Sequence, residues 1–303
     1  MDIHAKHTPV LTQKVIECLH PNPNENFIDC TVGQAGHTIA ILERNGPKGR
    51  VLGIDLDKEA LGHAKENIAK NGHEKRVILV QKNFSQLKEI VKEQKFSPVH
   101  GILLDLGMSS MQLEESGRGF SFKKTEPLDM RFDTRNPLTA AKIVNYWNKH
   151  DLERILREYG EEKFAKNIAE KICESRIQYK PGAKKEILTT ARLLEIITKA
   201  VPGWYRRERL HFATKTFQAL RIAVNNELES LEQTLPQAID ILEREGRIVV
   251  ISFHSLEDRI VKNFFHNTQS IEILTKKPII PSFEELQKNR RARSAKLRAA
   301  KKL

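Results

Sequence analysis

Apolar positions in the first third of the chain follow two patterns that take turns. Short unbroken runs (Phe27-Ile28, Val51-Leu52 with Ile54, Val77 to Val80, Ile102 to Leu104) are bounded by glycine or polar residues. Runs of that kind suit strands buried on both faces of a parallel sheet. Between them lie stretches with helical spacing: one that begins at Ile39 to Leu42, then KEALGHAKENIAKNG, then SQLKEIVKEQKF. Asn71-Gly72 predicts a C-cap for the second. Ahead of the first strand, residues 7–20 predict a loop entering a short helix, with Thr12 as cap and Pro21 as stop. Strand and helix in alternation predict an α/β fold with a mostly parallel sheet and right-handed crossovers.

The alternation stops after Leu104. The next strand-like run is GRIVVISFHS, Gly246–Ser255, preceded by an amphipathic helical stretch over Thr214–Glu245 with a break expected near Pro236. Roughly 100 residues therefore replace an ordinary βα loop of about 2–6, and they read as an insertion. Leu152, Ile155, Leu156, Tyr159, Phe164, Ile168 and Ile172 recur at helical intervals, and EILTTARLLEIITKAV forms a further helix. The expected organisation is a discontinuous domain of residues 1–133 and 209–303, with an inserted helical subdomain at 134–208 that can roof the C-terminal edge of the sheet. The chain then ends in a helix (LEDRIVKNFF), a strand-like IEILTKKPII and a basic segment.

Composition narrows the class. The chain has 303 residues, 39% hydrophobic and 30% charged, and no apolar run long enough to span a membrane. Its start lacks the apolar region of a secretory signal. Cys18, Cys30 and Cys173 are scattered and show no CxxC spacing, which argues for a reducing compartment and against a zinc site or a disulfide framework. The net charge is +12, and residues 288–303 supply eight of those charges with no acid among them. A polyanion such as nucleic acid is the natural partner for such a segment, and a solvated basic end is the simpler alternative.

The turn after the first strand holds Asp29, Thr31, Gly33, Ala35 and Gly36, and Asp55 lies 22 positions after Gly33 at the end of the second strand. Glycine lets backbone approach a ligand, and an acid about 20 residues past the turn suits a ribose hydroxyl pair. The pattern implies an adenosine-containing cofactor without naming it. G-x-G-x-x-G is absent, and Asp29 in the turn suits a sulfonium better than a pyrophosphate, so a methyl donor is favoured over a nicotinamide. Asn83-Phe84 at the end of the third strand offers an aromatic face for adenine.

Asp105 closes the fourth strand and is followed by Gly107, Ser109, Ser110 and Gln112. Ligands of open α/β sheets sit beyond such strand ends. A carboxylate there can accept N–H groups of an exocyclic amine and aim its lone pair for in-line methyl transfer. Arg118, Arg131 and Arg135 interleave with Phe120, Phe122 and Phe132, which suits phosphate contact and base stacking. Arg206, Arg207, Arg209, Lys215 and Arg221 form another basic stretch. Ser252, His254 and Ser255 lack the G-x-S-x-G elbow of a hydrolase, no cysteine stands at the fourth strand's end, and the histidines show no metal-ligand spacing.

HTPVL, DCTVGQAGHT, GIDLD, LLDLGMSSMQL, RGFSF, PLDMRFD, TFQALRIAVNNEL, SFHSLEDR and RARSAKLRAA occur in that order. They resemble the ribosomal RNA small subunit methyltransferase H family of cytidine N4 methyltransferases, over nearly the whole chain. The resemblance implies a class I, Rossmann-like methyltransferase fold with an inserted helical subdomain. It implies S-adenosylmethionine as cofactor, and the N4 of a cytidine in the decoding region of the 16S rRNA as acceptor, in the bacterial cytoplasm. Position by position it implies donor contacts at Ala35, Gly36, His37, Asp55, Phe84, Asp105 and Gln112, with Asp105 catalytic and no metal. It leaves the oligomeric state open, a homodimer included. This chain departs from the family in having Ala35 in place of the first glycine of Gly-Gly-His, which a methyl group tolerates only at negative φ. His211-Phe212-Ala213-Thr214-Lys215 and Asn289-Arg290-Arg291 are further departures. An RNA-binding ribosome-assembly protein with a degenerate cofactor site is the alternative, and Ala35 motivates it.

Overall fold

The computed structural model describes residues 9–177 and 186–303. His7 and Thr8 of the HTPVL motif and Gln178 of the inserted helical stretch lie outside the described residues. The chain divides into two compact units, one of residues up to Gly107 with Leu228–Leu303, the other Met108–Glu227.

The first unit is built on a seven-stranded sheet: β1 Phe27–Asp29, β2 Val51–Asp55, β3 Val77–Gln81, β4 Val99–Asp105, β5 Leu242–Ser252, β6 Ile271–Ile273 and β7 Lys296–Lys302. Their order is β3-β2-β1-β4-β5-β7-β6. The strands from β1 to β5 are parallel, and β7 runs antiparallel to both its neighbours. This is the class I, Rossmann-like fold. The apolar runs are unbroken because both faces are covered. Ile28, Leu52, Ile102, Leu104, Ile248 and Val250 pack with Leu87, Ile90, Leu231, Leu235 and Val261. Phe27, Val51, Leu103, Val249, Ile251 and Leu297 pack with Val15, Leu19, Ile41 and Leu42.

Several local expectations change. The helical stretch expected over Thr214–Glu245 breaks at Asn226, which takes φ 53, whereas Pro236 lies inside the helix Glu227–Ile241. β5 begins at Leu242 and not at Gly246, because the register shifts where Val99 and Gly101 of β4 pair with Leu242 and Arg247. Thr12 does not cap the first helix, Thr12–Leu19; Leu11 occupies the N-cap with φ 55, and its N–H donates to Glu285. After β3 the chain makes a 3₁₀ turn at Phe84–Gln86 before the helix Leu87–Glu93. Asn71-Gly72 closes the helix Lys58–Lys70 as expected, with Gly72 at φ 72.

The basic C-terminal segment differs most from its sequence reading. Lys296–Lys302 is a strand inside the sheet, with Leu297, Arg298, Ala299 and Ala300 buried. Arg298 and Lys296 pair with Asp258, and Lys301 with Glu245 and Glu272. Most of that strand's charge is therefore spent inside the fold.

The second unit is helical: Ser110–Glu114, Ala140–Tyr146, Lys149–Glu158, Ala165–Ile177, Thr190–Ala200 and Thr214–Asn225. It extends beyond 134–208 at both ends. The reason is a shared core, in which Phe120, Leu128 and Met130 pack with Ile143, Leu152, Ile168, Ile196, Phe217 and Leu220. Asn225 fastens the two ends, accepting from the N–H of Phe132 and donating to the carbonyl of Met130. No helix among the described residues is long and apolar enough to cross a membrane.

Candidate active site

β1, β2 and β4 each end on an aspartate, and parallel neighbours bring the three ends to one edge of the sheet. Asp29 is 1% exposed and accepts from the N–H of Thr31 and, at 2.7 Å, from the hydroxyl of Thr38. Burial raises its pKa, partly offset by the Thr38 hydroxyl. The turn after β1 passes Gly33 at φ 50 and reaches Ala35 at the cap of the helix Gly36–Leu42. Gly36 is required by close approach: a Cβ there would lie 2.2 Å from the Cγ of Pro9.

Ala35 corrects the expectation drawn for it. Its φ is 66, in the left-handed region, and its methyl is fully buried beside Val32, Ala64 and Ile68. The helix start demands that conformation, and the burial of the methyl partly offsets the strain. The turn otherwise keeps its bonds. The N–H of Gly33 donates to Asp55 Oδ2 at 2.9 Å and that of Asp57 to Oδ1 at 2.9 Å. Burial pushes Asp55 up to about 6 despite those two donors. Asp55 thus pins the turn to the end of β2.

Asp105 is tied from two sides. Its backbone N–H donates to Thr31 Oγ1 at 2.7 Å. Its Oδ2 lies 3.3 Å from Nε2 of His37, whose side chain is 6% exposed. The contact has ion-pair distance without hydrogen-bond alignment, so Nδ1 and Nε2 of His37 and Oδ1 of Asp105 have no hydrogen-bond partner within the described protein. Burial alone would lower the imidazole's pKa, but the carboxylates of Asp105 and Asp29 more than offset it and leave it raised. Buried polar atoms without partners are costly, and a bound polar ligand is what relieves them. Gly107, at φ 102, turns the chain away within 3.1 Å of the Phe253 ring for an added Cβ.

Phe84 opens the 3₁₀ turn beyond β3, half-buried, with Asn83 capping the turn and Thr234 donating to its carbonyl. Gln112 belongs to the second unit. There it completes a capping box, its Oε1 accepting from the N–H of Ser109 at 3.0 Å while Ser109 Oγ accepts from its own N–H. The side chain of Ser110 lies outside the described residues. The first unit therefore brings together Ala35, Gly36, His37, Asp55 and Asp105, with Phe84 beyond the edge strand β3. Thr31 and Thr38, which hold Asp105 and Asp29, were not singled out for these roles from the sequence. A usable signal was their place, one just after the β1 aspartate and the other in the first turn of the following helix.

The model of the MraW methylase family matches residues 4–303. The chain belongs to that family. It is 46% identical over 298 residues, covering 98% of both chains, to the ribosomal RNA small subunit methyltransferase H of Pseudothermotoga lettingae. It is 47% identical over 302 residues to the protein of that name from Sulfurihydrogenibium azorense, covering 99% of this chain and all of the other. The relative of that name in Brevibacillus brevis is 42% identical over 315 residues, covering 98% of both chains. As a methylase of this family, the chain uses S-adenosylmethionine, and the unpartnered atoms around Asp105 together with the Asp55 turn fit such a group.

The arginines expected to meet phosphate mostly serve this methylase's own loops. Arg118 donates to the carbonyls of Arg131 and Phe132. Arg131 pairs with Asp129 through two bonds of 2.7 Å and also ties down the carbonyls of Thr134 and Asn136. Arg135 pairs with Asp133, and Arg221 with Glu227. Phe120 stacks on Phe132, and Phe122 packs edge-on to Phe217, so these rings are core. Ser252 donates to the Lys296 carbonyl, and His254 caps the helix Ser255–Asn267 in a box with Glu257. Neither is placed as a nucleophile or base.

Proposed function

We propose that the chain transfers the methyl group of S-adenosylmethionine to the exocyclic N4 amine of a cytidine in the decoding region of small-subunit rRNA, in the cytoplasm. The observation that carries this reading is the carboxylate at the end of β4, with Oδ2 beside His37 and Oδ1 buried without a hydrogen-bond partner. The naming of the relatives supports small-subunit rRNA as the substrate.

Asp55 is assigned to the ribose hydroxyls, Phe84 to the adenine face, and Ala35, Gly36 and His37 to the donor's amino-acid end. Gln112, whose Oε1 accepts from the Ser109 N–H, is assigned to the donor as well. The donor supplies an electrophilic methyl on a sulfonium. Asp105 does the rest of the work from the protein side. Its carboxylate accepts an N–H of the target amine and directs the nitrogen lone pair away from the ring plane. The same carboxylate is the first acceptor for the proton that the amine sheds on methylation, so no stronger base is required. A ribosome-assembly protein with a degenerate site draws only on Ala35, and the turn around Ala35 keeps its Gly33–Asp55 and Asp29–Thr38 bonds.

The test is incubation with labelled donor and small subunits from cells lacking the modification, followed by digestion to nucleosides. N4-methylcytidine is the expected product, and it disappears with Asp105→Ala. Label on any other nucleoside, or none, overturns the assignment.

A further inference from the structure

In the second unit the segment from Trp204 to Leu210 carries charges that are not spent internally. Arg206, Arg207 and Arg209 are exposed, and none has a carboxylate within ion-pair distance among the described residues. That contrasts with the paired arginines of the same unit, such as Arg131, Arg135, Arg192 and Arg221. Glu208 stands among the three and leaves the stretch net positive.

The same segment exposes large apolar side chains. Trp204 is 58% exposed and Leu210 51%. A tryptophan so open is unusual in a packed domain. It is nevertheless held in place. Its ring meets Phe164 edge-on at 5.8 Å and Tyr205 at 5.9 Å. Tyr205 is buried and its hydroxyl donates to the buried Glu162 at 2.9 Å. The outer face of the indole is thus presented on a rigid base. Tyr205–Arg207 is a 3₁₀ turn, and the N–H of Arg207 donates to the carbonyl of Trp204. In that geometry side chains three apart lie on one side of the turn, which carries Arg207 and Trp204 on the same side.

A fixed aromatic face beside unpaired guanidinium groups matches the two demands of a single strand, base stacking and phosphate neutralisation. We infer that Trp204, Arg206, Arg207 and Arg209 form a docking surface for single-stranded RNA, with a base stacked on Trp204 and adjacent phosphates on the arginines. The inference rests on the reading of the chain as an rRNA methyltransferase and assigns where part of that substrate is held. It uses none of the residues placed at the donor site.

The experiment uses the full chain with Trp147→Phe, so that Trp204 is the sole indole, and an unstructured pyrimidine-rich RNA of about twelve nucleotides, near the span of such sites. Titration is expected to quench Trp204 fluorescence. Trp204→Ala, read by anisotropy of labelled RNA, is expected to weaken binding about tenfold. Replacing the three arginines by glutamine is expected to lower the slope of log K against log salt by about 2. Calorimetric donor affinity and thermal midpoint are expected to stay at the wild-type values, which separates lost docking from lost folding. Trp204→Phe keeps a stacking face and is expected to restore most of the affinity. Unchanged affinity and slope in these variants overturn the inference while leaving the methyltransferase reading intact. Loss of binding to intact subunits without loss of RNA binding overturns it as well, assigning the surface to a ribosomal protein. A wild-type chain that binds donor but no RNA overturns this inference and the substrate reading together.

Discussion

His37 Nε2 stands 3.3 Å from Asp105 Oδ2 across the gap between the turn after β1 and the end of β4. The sheet's strand order makes that meeting possible, since β1 and β4 are neighbours. The contact sets Oδ2 of Asp105 beside the imidazole, while Oδ1 is buried without a hydrogen-bond partner. Asp105→Asn is expected to reduce single-turnover methyl transfer by at least about 100-fold, the usual scale for a positioned proton acceptor. His37→Gln is expected to cost about ten- to 100-fold in the same rate, with a smaller change in donor affinity by calorimetry. Equal losses in rate and affinity would make His37 a donor ligand only.

Thr31 reaches the same carboxylate's residue from the opposite side, through the Asp105 N–H. Thr31→Val keeps the shape and strands that donor, for a loss of about 1–3 kcal/mol in urea unfolding. Thr31→Ser is expected to recover most of it. No difference between the two variants would show that water replaces the hydroxyl freely.

Proton linkage follows from the raised groups. Asp55 sits at about 6 and His37 is raised by its carboxylate neighbours. In each case the folded state holds its proton more tightly than the unfolded chain. Stability contributed by Asp55 is therefore present at low pH and lost as pH climbs from about 4 to about 6. The His37 contribution is complete below about 6.5 and lost as pH rises through its higher folded pKa. The thermal midpoint of the wild type minus that of Asp55→Asn is expected to fall across the lower window, and minus that of His37→Gln across the upper one. A flat difference profile would remove the linkage.

Ala35 sets left-handed strain against a buried methyl. Relief of the strain is worth about 1–2 kcal/mol, while extra unfolded-state freedom and the lost methyl together cost about the same. Ala35→Gly is expected to shift stability by less than about 1 kcal/mol and donor affinity by less than about threefold. Ala35→Val adds a branched side chain at positive φ and is expected to destabilise by about 2 kcal/mol or more. A large gain in donor affinity with Ala35→Gly would favour the degenerate-site alternative.

β7 runs between β5 and β6, and its Arg298 is buried against Asp258 with Nε 2.6 Å from Oδ1. Arg298→Ala is expected to cost about 2–4 kcal/mol in urea unfolding, because among the described residues Asp258 then keeps only Lys296. Removal of residues 296–303 takes out a strand that two others need, and cooperative unfolding is expected to disappear. A truncated chain that folds with only a flatter salt dependence would return this segment to the role of a basic tail.

Local order was readable wherever one residue's neighbours in sequence decide its state. The apolar runs of β1 to β4, the helices between them and the Asn71-Gly72 cap follow from period and turn chemistry. The acids at the strand ends were visible for the same reason. Arg131 shows where that stops: its guanidinium is consumed by Asp129 and two carbonyls, and no spacing rule separates such an arginine from one facing a phosphate. Lys296–Lys302 read as a charged tail because its alanines and single leucine carry little pattern. It becomes a strand only through partners at Arg247–Ser252 and Ile271–Ile273.

Sequence alone determined the class of fold, the turn after β1 and the identity of the carboxylate at the end of β4, because each is written in a run of adjacent residues. Tertiary structure decided that His37 meets that carboxylate and Thr31 the same residue's backbone N–H, that Ala35 is left-handed, and that the basic end is interior. Those facts depend on which strands lie side by side, and contacts between residues 68 or 74 positions apart are set by packing of the whole sheet, not by neighbours in the chain.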